Sequence, residues 1–254
     1  MQDKEVRLER LTRREFREAI GAGHFKSAII ATGSVEQHLE HLAMVQDIAS
    51  STHVAERVAE NLYPNVVVAV PINIGVAEHH MKHPGTLTTK PETWLAVILD
   101  ATESLLRHGV KKVLILNGHG GNRMPMYGAI SQWKMYFRNQ YGEVDVRFNS
   151  YWDVLSHEFI ATVQDGPGFP SHAKEFETSF MMHVHPENVR VDAIPHSEDD
   201  GVSAATAEKG KLLVEKTVEG VTAIVREMLE GRDTRAAMLD LSPPKRETEA
   251  SPIY

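Results

Sequence analysis

The stretch Lys112-Val-Leu-Ile-Leu-Asn117-Gly-His-Gly-Gly-Asn122 decides how this chain folds. Residues 112–116 form an apolar run that reads as a buried strand. The glycines behind it let the backbone turn sharply and approach a ligand closely, and a helix is expected next. The same grammar repeats outward. Ser27–Thr32 (SAIIAT), Val66–Val70 and Val144–Asn149 read as further strands, apolar through most of their length. Between them lie helical periods. Thr12 and Glu15 form a capping-box pattern. Residues 47–62 carry Ile48, Ala55, Val58, Ala59 and Leu62 on one face. Pro91 opens a helix with Leu95, Ile98, Leu99, Leu105 and Leu106 on one side, and Gly109 stops it. The span 203–229 is a long final helix with Val214, Val218, Val221, Val225 and Met228 in helical register. Apolar strands separated by helices imply an α/β fold with a parallel sheet covered on both faces. No repeat or low-complexity linker divides the chain, so residues 1–254 are expected to form one domain. A polar, Pro-bearing tail is expected from about residue 235.

Composition narrows the function. Among 254 residues the formal net charge is −8, with 42% hydrophobic and 24% charged residues. That is ordinary for a globular protein, and it gives no ground for a nucleic-acid or anionic-membrane partner, both of which need concentrated Lys and Arg. The absence of cysteine removes disulfides, thiolate metal sites and cysteine nucleophiles. Residues 1–10 lack an apolar stretch of the secretory kind and no run reaches membrane-span length, so a cytoplasmic location is the expectation. Histidine is unusual both in number, 14, and in clustering: His38 and His41, His79, His80 and His83, then His183 and His185.

In parallel α/β sheets, ligands bind where the strands end. The loops after Thr32, Val70, Leu116 and Asn149 hold the polar residues of interest. After the first strand come Glu36, His38 and His41, then Asp47 at a helix start, where the dipole favours a carboxylate. Carboxylate and imidazole together suit Zn2+ or Mn2+. Taken singly, Glu36 also reads as a surface acid, His38 as a partly buried histidine and Asp47 as a helix cap; the three in one strand-end loop favour a metal. His119 stands in the glycine turn, which has neither the GxGxxG spacing nor the Lys-Ser/Thr of a phosphate loop. In Ser171–Ser179, Glu175 shares a helix face with Thr178 and Ser179, and at least one of Glu175 and Glu177 reads as a solvated acid. His79, His80 and His83 suggest substrate contacts, and Trp152 reads either as a stacking platform or as core.

These residues resemble the creatininase (creatinine amidohydrolase) family over nearly the whole chain. The matching motifs are GSVEQH at 33–38 with Asp47, HPGT at 83–86, NGHGGN at 117–122, YW at 151–152 and HAKEFETS at 172–179. The resemblance implies a three-layer αβα sandwich, a homo-oligomer (a hexamer) and two divalent cations per subunit, Zn2+ and/or Mn2+. It implies that Glu36, Asp47 and His119 hold one cation, and that His38, Asp47 and a further Glu hold the other. In creatininase that Glu lies two residues after the motif's His, where this chain has Gly121, so Glu175 is expected to supply the carboxylate. The pattern departs at Leu39-Glu40, which replace Gly-Pro, and at Phe169-Pro170, where a tryptophan is usual. Both changes fall around the substrate.

The expected activity is hydrolysis of a C–N bond in a small cyclic amide or amidine by a metal-bridging hydroxide. His172 is expected to act as proton shuttle alongside Glu175, while His80, Trp152, Gly120 and His41 shape the substrate site. A second reading is ring-opening at a C–C bond of a cyclic polyol ketone of the diketo-inositol type, with His79, His80, His83, Glu40 and His41 as polar contacts. An inactive metal-binding homologue is a third. A dinucleotide-binding oxidoreductase is disfavoured, because no Gly-rich nucleotide turn follows the first strand.

Overall fold

The computed structural model describes residues 4–166, 168–196 and 200–232. Four parallel strands form one sheet in the order β2-β1-β3-β4: β1 Ser27–Thr32, β2 Val66–Val68, β3 Lys112–Asn117 and β4 Asp145–Ser150. Among the described residues the α-helices are α1 Arg13–Gly21, α2 Gln46–Asn61, α3 Pro91–Arg107, α4 Arg123–Tyr141, α5 His157–Val163, α6 Glu175–Val184 and α7 Ala207–Leu229.

The strands bury both faces, so alternate residues feed two separate cores. Ile29, Ala31, Val66, Val68, Leu114 and Leu116 pack with residues of α2, α5, α6 and α7. Ala28, Ile30, Val67, Val113, Ile115 and Val146 pack with residues of α1, α3 and α4. This is the expected α/β sheet with a helical layer on either side. The expected stripe of α7 is its buried face: Val214, Val218, Val221, Val225 and Met228 are all buried, each contributing roughly 1.5–3 kcal/mol by leaving water.

Boundaries differ in instructive ways. The second strand ends at Val68 instead of Val70. Pro71 offers no N–H to a ladder, and Val70 turns out to 54% exposure. The last helix begins at Ala207, where the Thr206 side chain accepts a hydrogen bond from Lys209 N, and a 3-10 turn occupies Asp200–Ala204. Thr12 and Glu15 do form the expected capping box. The tail expected from about residue 235 lies outside the described residues.

Two glycines bring the sheet and α2 together. A Cβ at Gly33 would lie 2.5 Å from Ile48 N, and one at Gly118 would lie 2.1 Å from Asp47 O. The first turn of α2 therefore rests directly on the carboxyl ends of β1 and β3, and Asp47 is carried to the strand ends.

Candidate metal centre

Four segments converge there. The loop after β1 brings Glu36 and His38, the start of α2 brings Asp47, the turn after β3 brings His119, and the start of α6 brings Glu177. All five are buried, between 0% and 7% exposed. The turn is held by its own asparagines. Asn117 Nδ2 donates to His119 O at 2.7 Å, and Asn117 Oδ1 accepts from His119 N at 3.1 Å. Asn122 Nδ2 donates to Gly33 O and Asn117 Oδ1, while its Oδ1 accepts from Val76 N. Leu39 and Ala173, each following a histidine of the site, adopt left-handed backbone with φ of 55° and 52°. Non-glycine residues hold such angles where surrounding contacts enforce them. At Ala173 the contact is plain: its N–H donates to Glu177 Oε2 at 2.5 Å.

Asp47 sits between two imidazoles. Its Oδ1 is 3.1 Å from His38 Nε2 and its Oδ2 is 3.0 Å from His119 Nδ1. Glu36 Oε1 is 3.3 Å from His119 Nδ1, and Glu177 Oε2 is 3.9 Å from His38 Nε2. The far nitrogens settle the tautomers. His38 Nδ1 donates to Glu36 O at 3.1 Å and His119 Nε2 donates to Val76 O at 3.0 Å. The nitrogens facing the carboxylates are thus the ones with a lone pair to offer a cation.

The electrostatics fit a cation. Three carboxylates share a buried space with two imidazoles. Glu36 Oε2 is buried without a hydrogen-bond partner, and Asp47 Oδ2 and His38 Nε2 face their neighbours without hydrogen-bond alignment. Burial alone would lower His38, but Asp47 and Glu177 raise it to about 9. Burial likewise opposes the rise of His119, which Asp47 and Glu36 carry to about 10. Burial would lift Asp47, yet the two imidazoles hold it well below the usual carboxylate range. Burial raises Glu177 to about 8, with His38 opposing and Asp47 adding to the rise. The shifts share one cause, a surplus of buried negative charge, which a cation bound by the imidazole lone pairs would offset. The groupings Glu36–His38–Asp47, His38–His172–Glu177, Glu36–His79–His119 and Glu36–His80–His172 each bring ligand atoms within 4.8 Å of one another.

Several expected site residues lie elsewhere. Glu175 is not brought to the cluster. Its carboxylate accepts from Asp165 N and Gly166 N, at 3.1 and 2.7 Å, and pairs with Lys209 Nζ at 2.5 Å. Residues two apart in a helix point to opposite sides, so when Glu175 faces Lys209, Glu177 faces His38. Position 121 has no room for the acid: a Cβ there would meet Val76 O at 2.1 Å and His119 Nε2 at 2.5 Å. Trp152 is 6% exposed and packs with the core, 5.0 Å from the Tyr151 ring. His41 is fully buried and contacts Thr178 Oγ1 at 2.9 Å, bracing α6 against the loop. His172 and His80 do line the cluster, each with a ring nitrogen 3.7 Å from Glu36 Oε1. Burial lowers both, to about 3 and about 4, and neighbouring imidazoles add to the effect. Gly120 lies in an exposed turn with open space about it. Gln37, part of the GSVEQH motif but not among the expected site residues, joins His80 and His172 through its amide.

The family model for creatininase, described as creatinine amidohydrolase, matches residues 9–225. Creatinine amidohydrolase of Pseudomonas putida is 25% identical, covering 88% of this chain and 97% of that protein. The mycofactocin precursor peptide peptidase of Mycobacterium ulcerans is 27% identical over 66% of this chain and 62% of its own length. The 3-dehydro-scyllo-inosose hydrolase of Thermotoga maritima is 29% identical over 68% of this chain and 55% of its own. The solved structure described as "Creatininase Mn" superposes with a TM-score of 0.78 at 25% identity, over 88% of this chain and 98% of that one. Among the described residues no helix is long and apolar enough to cross a membrane. With its buried carboxylate and imidazole groups compatible with a metal site, the chain belongs to the creatininase family and is a metal-dependent hydrolase.

Proposed function

We propose that two divalent cations, Zn2+ or Mn2+, are held at the strand ends, and that the chain hydrolyses a C–N bond in a small cyclic amide or amidine. Glu36, Asp47 and His119 form one ligand set; His38, Asp47 and Glu177, in place of Glu175, form the other. The observation that carries this reading is that the two oxygens of Asp47 face two different imidazoles, the arrangement a bridging carboxylate needs. Bound there, the cations would act as Lewis acids, polarising the bond under attack and lowering the pKa of a water. The chain's own part is positional. The dipoles of α2 and α6 favour the Asp47 and Glu177 carboxylates at their first turns. Val76 O and Glu36 O hold His119 and His38 in the ligating tautomer. His80 and His172 stand on the solvent side of Glu36, with side chains 17% and 32% exposed against 2%.

A second reading is ring-opening of a cyclic polyol ketone. It is favoured by the His79–His80–His172 row of polar rings beside Glu36. On either reading the protein is a single creatininase-like unit in a cytoplasmic homo-oligomer, a hexamer by likeness to the family. The test is metal analysis of purified protein, followed by hydrolysis screening of the loaded enzyme against creatinine, cyclic ureides, lactams, ketoinositols and short peptides. Two equivalents of metal per chain and turnover of a cyclic C–N substrate are expected. One equivalent or none would overturn the dinuclear assignment, and turnover of ketoinositols alone would favour the second reading.

A further inference from the structure

Four of the five histidines grouped around Glu36 divide into two kinds, and the division follows from what each ring's far nitrogen faces. For His38 and His119 the far nitrogen faces a carbonyl, which only accepts. For His80 and His172 it faces the side-chain amide of Gln37. Gln37 Nε2 lies 2.9 Å from His80 Nδ1 and 2.8 Å from His172 Nε2. The amide cannot be turned round, because Gln37 Oε1 accepts from Leu39 N at 3.0 Å, and a backbone N–H only donates. The amide nitrogen therefore faces both rings, and it too only donates. Each ring must meet it with a lone pair. The remaining nitrogens, His80 Nε2 and His172 Nδ1, then carry the hydrogens.

We infer that Gln37 is a positioning residue that fixes His80 and His172 as a pair of N–H donors, which receive one oxygen atom of the substrate beside Glu36. Both nitrogens lie 3.7 Å from the same atom, Glu36 Oε1, so their N–H groups converge, yet this is too far for a hydrogen bond to it. The two rings stack with centroids 4.4 Å apart and planes 24° from parallel, so they lie side by side over Glu36. His172 in this tautomer is an electrophilic contact and not the proton acceptor expected of a shuttle, because the nitrogen facing the cluster already holds its hydrogen. Neither ring offers that nitrogen to a cation. The chemistry so recognised is a carbonyl, carboxylate or developing oxyanion oxygen, for which preorganised donors are effective. This deepens the hydrolase reading and rests on it for the location of the substrate.

Nitrogen-15 NMR of the histidine rings tests the inference, in metal-free and zinc-loaded full-length protein near neutral pH, with signals assigned from His80→Gln and His172→Gln. The expected result is a bare nitrogen at His80 Nδ1 and His172 Nε2 in both samples, with zinc shifting signals of His38 and His119 alone. A bare or zinc-shifted nitrogen at His80 Nε2 or His172 Nδ1 overturns it. Gln37→Met, which keeps the volume and removes the donor, should mix the two tautomers at both rings while zinc content stays at the wild-type value; unchanged tautomers would remove Gln37 from the role. If zinc failed to bind at all, the metal-site reading would fall, while the tautomers would still be read in the metal-free protein.

Discussion

Glu175 and Glu177 show what a single residue can and cannot reveal. Both are acids in the first turn of a helix, two positions apart, so the spacing itself dictates that one faces the site and the other turns away. Nothing local says which. The choice is made by Lys209, on α7, whose Nζ pairs with Glu175 and also reaches Asp165 Oδ2 at 2.7 Å. The same applies to Gln37, whose partners lie 43 and 135 positions along the chain. Glu36, His38, Asp47 and His119, by contrast, were legible because each sits where an apolar strand stops or a helix starts. The two acids should separate cleanly on mutation. Glu177→Gln is expected to lower bound metal from two equivalents toward one with little change in thermal stability of the metal-free protein. Glu175→Gln should keep the metal content and lose about 2 kcal/mol of stability, the scale of a charged hydrogen bond removed from a buried partner. Metal analysis beside urea denaturation checks both, and a fall in metal content for Glu175→Gln alone would reverse the roles.

At the scale of elements, the periodicities were read correctly because helix and strand impose different repeats on the same apolar residues, as in the α7 stripe and the strand Leu114–Leu116. Strand and helix ends are less legible, since they depend on single hydrogen bonds: Pro71 withholds one from β2, and the Thr206 side chain caps α7 at Ala207, four residues after the expected start at 203. The close seat of α2 on the strand ends was not legible either, because a glycine after a strand looks the same whether it turns the chain or makes room for a neighbour. Gly118 does the latter, with Asp47 O at 2.1 Å from the place a Cβ would take. Gly118→Ala should therefore push the first turn of α2 outward, destabilising the fold by about 1–3 kcal/mol and lowering metal occupancy through the displacement of Asp47. Circular-dichroism melting with metal analysis would show both. A variant with unchanged occupancy would show that α2 shifts without carrying its carboxylate away.

For the whole molecule, acid sensitivity follows from a histidine remote from the strand ends. His53, on α2 and edge-on to the ring of His185, is held neutral. Burial lowers it to about 4, and His185, Arg57 and His183 add to the effect. The unfolded chain takes up this proton near pH 6.5, before the fold can. The contribution of His53 is thus fully present above pH 6.5 and is lost as the pH falls toward 4. Metal-free wild type should lose more stability than His53→Gln between pH 7 and pH 4.5, as read from urea midpoints, and equal losses would exclude His53 as the source. The order of the chain has its own consequence for the pocket. Glu177 belongs to α6, and α6 packs so closely on α7 that a Cβ at Gly210 would lie 1.8 Å from Ser179 O. With Glu177 as the ligand proposed above, a nascent chain that has emerged only as far as β4 already displays Glu36, His38, Asp47 and His119 but lacks the last carboxylate. On that ligand set, the second group would be completed only once α6 has been synthesised and has packed on α7.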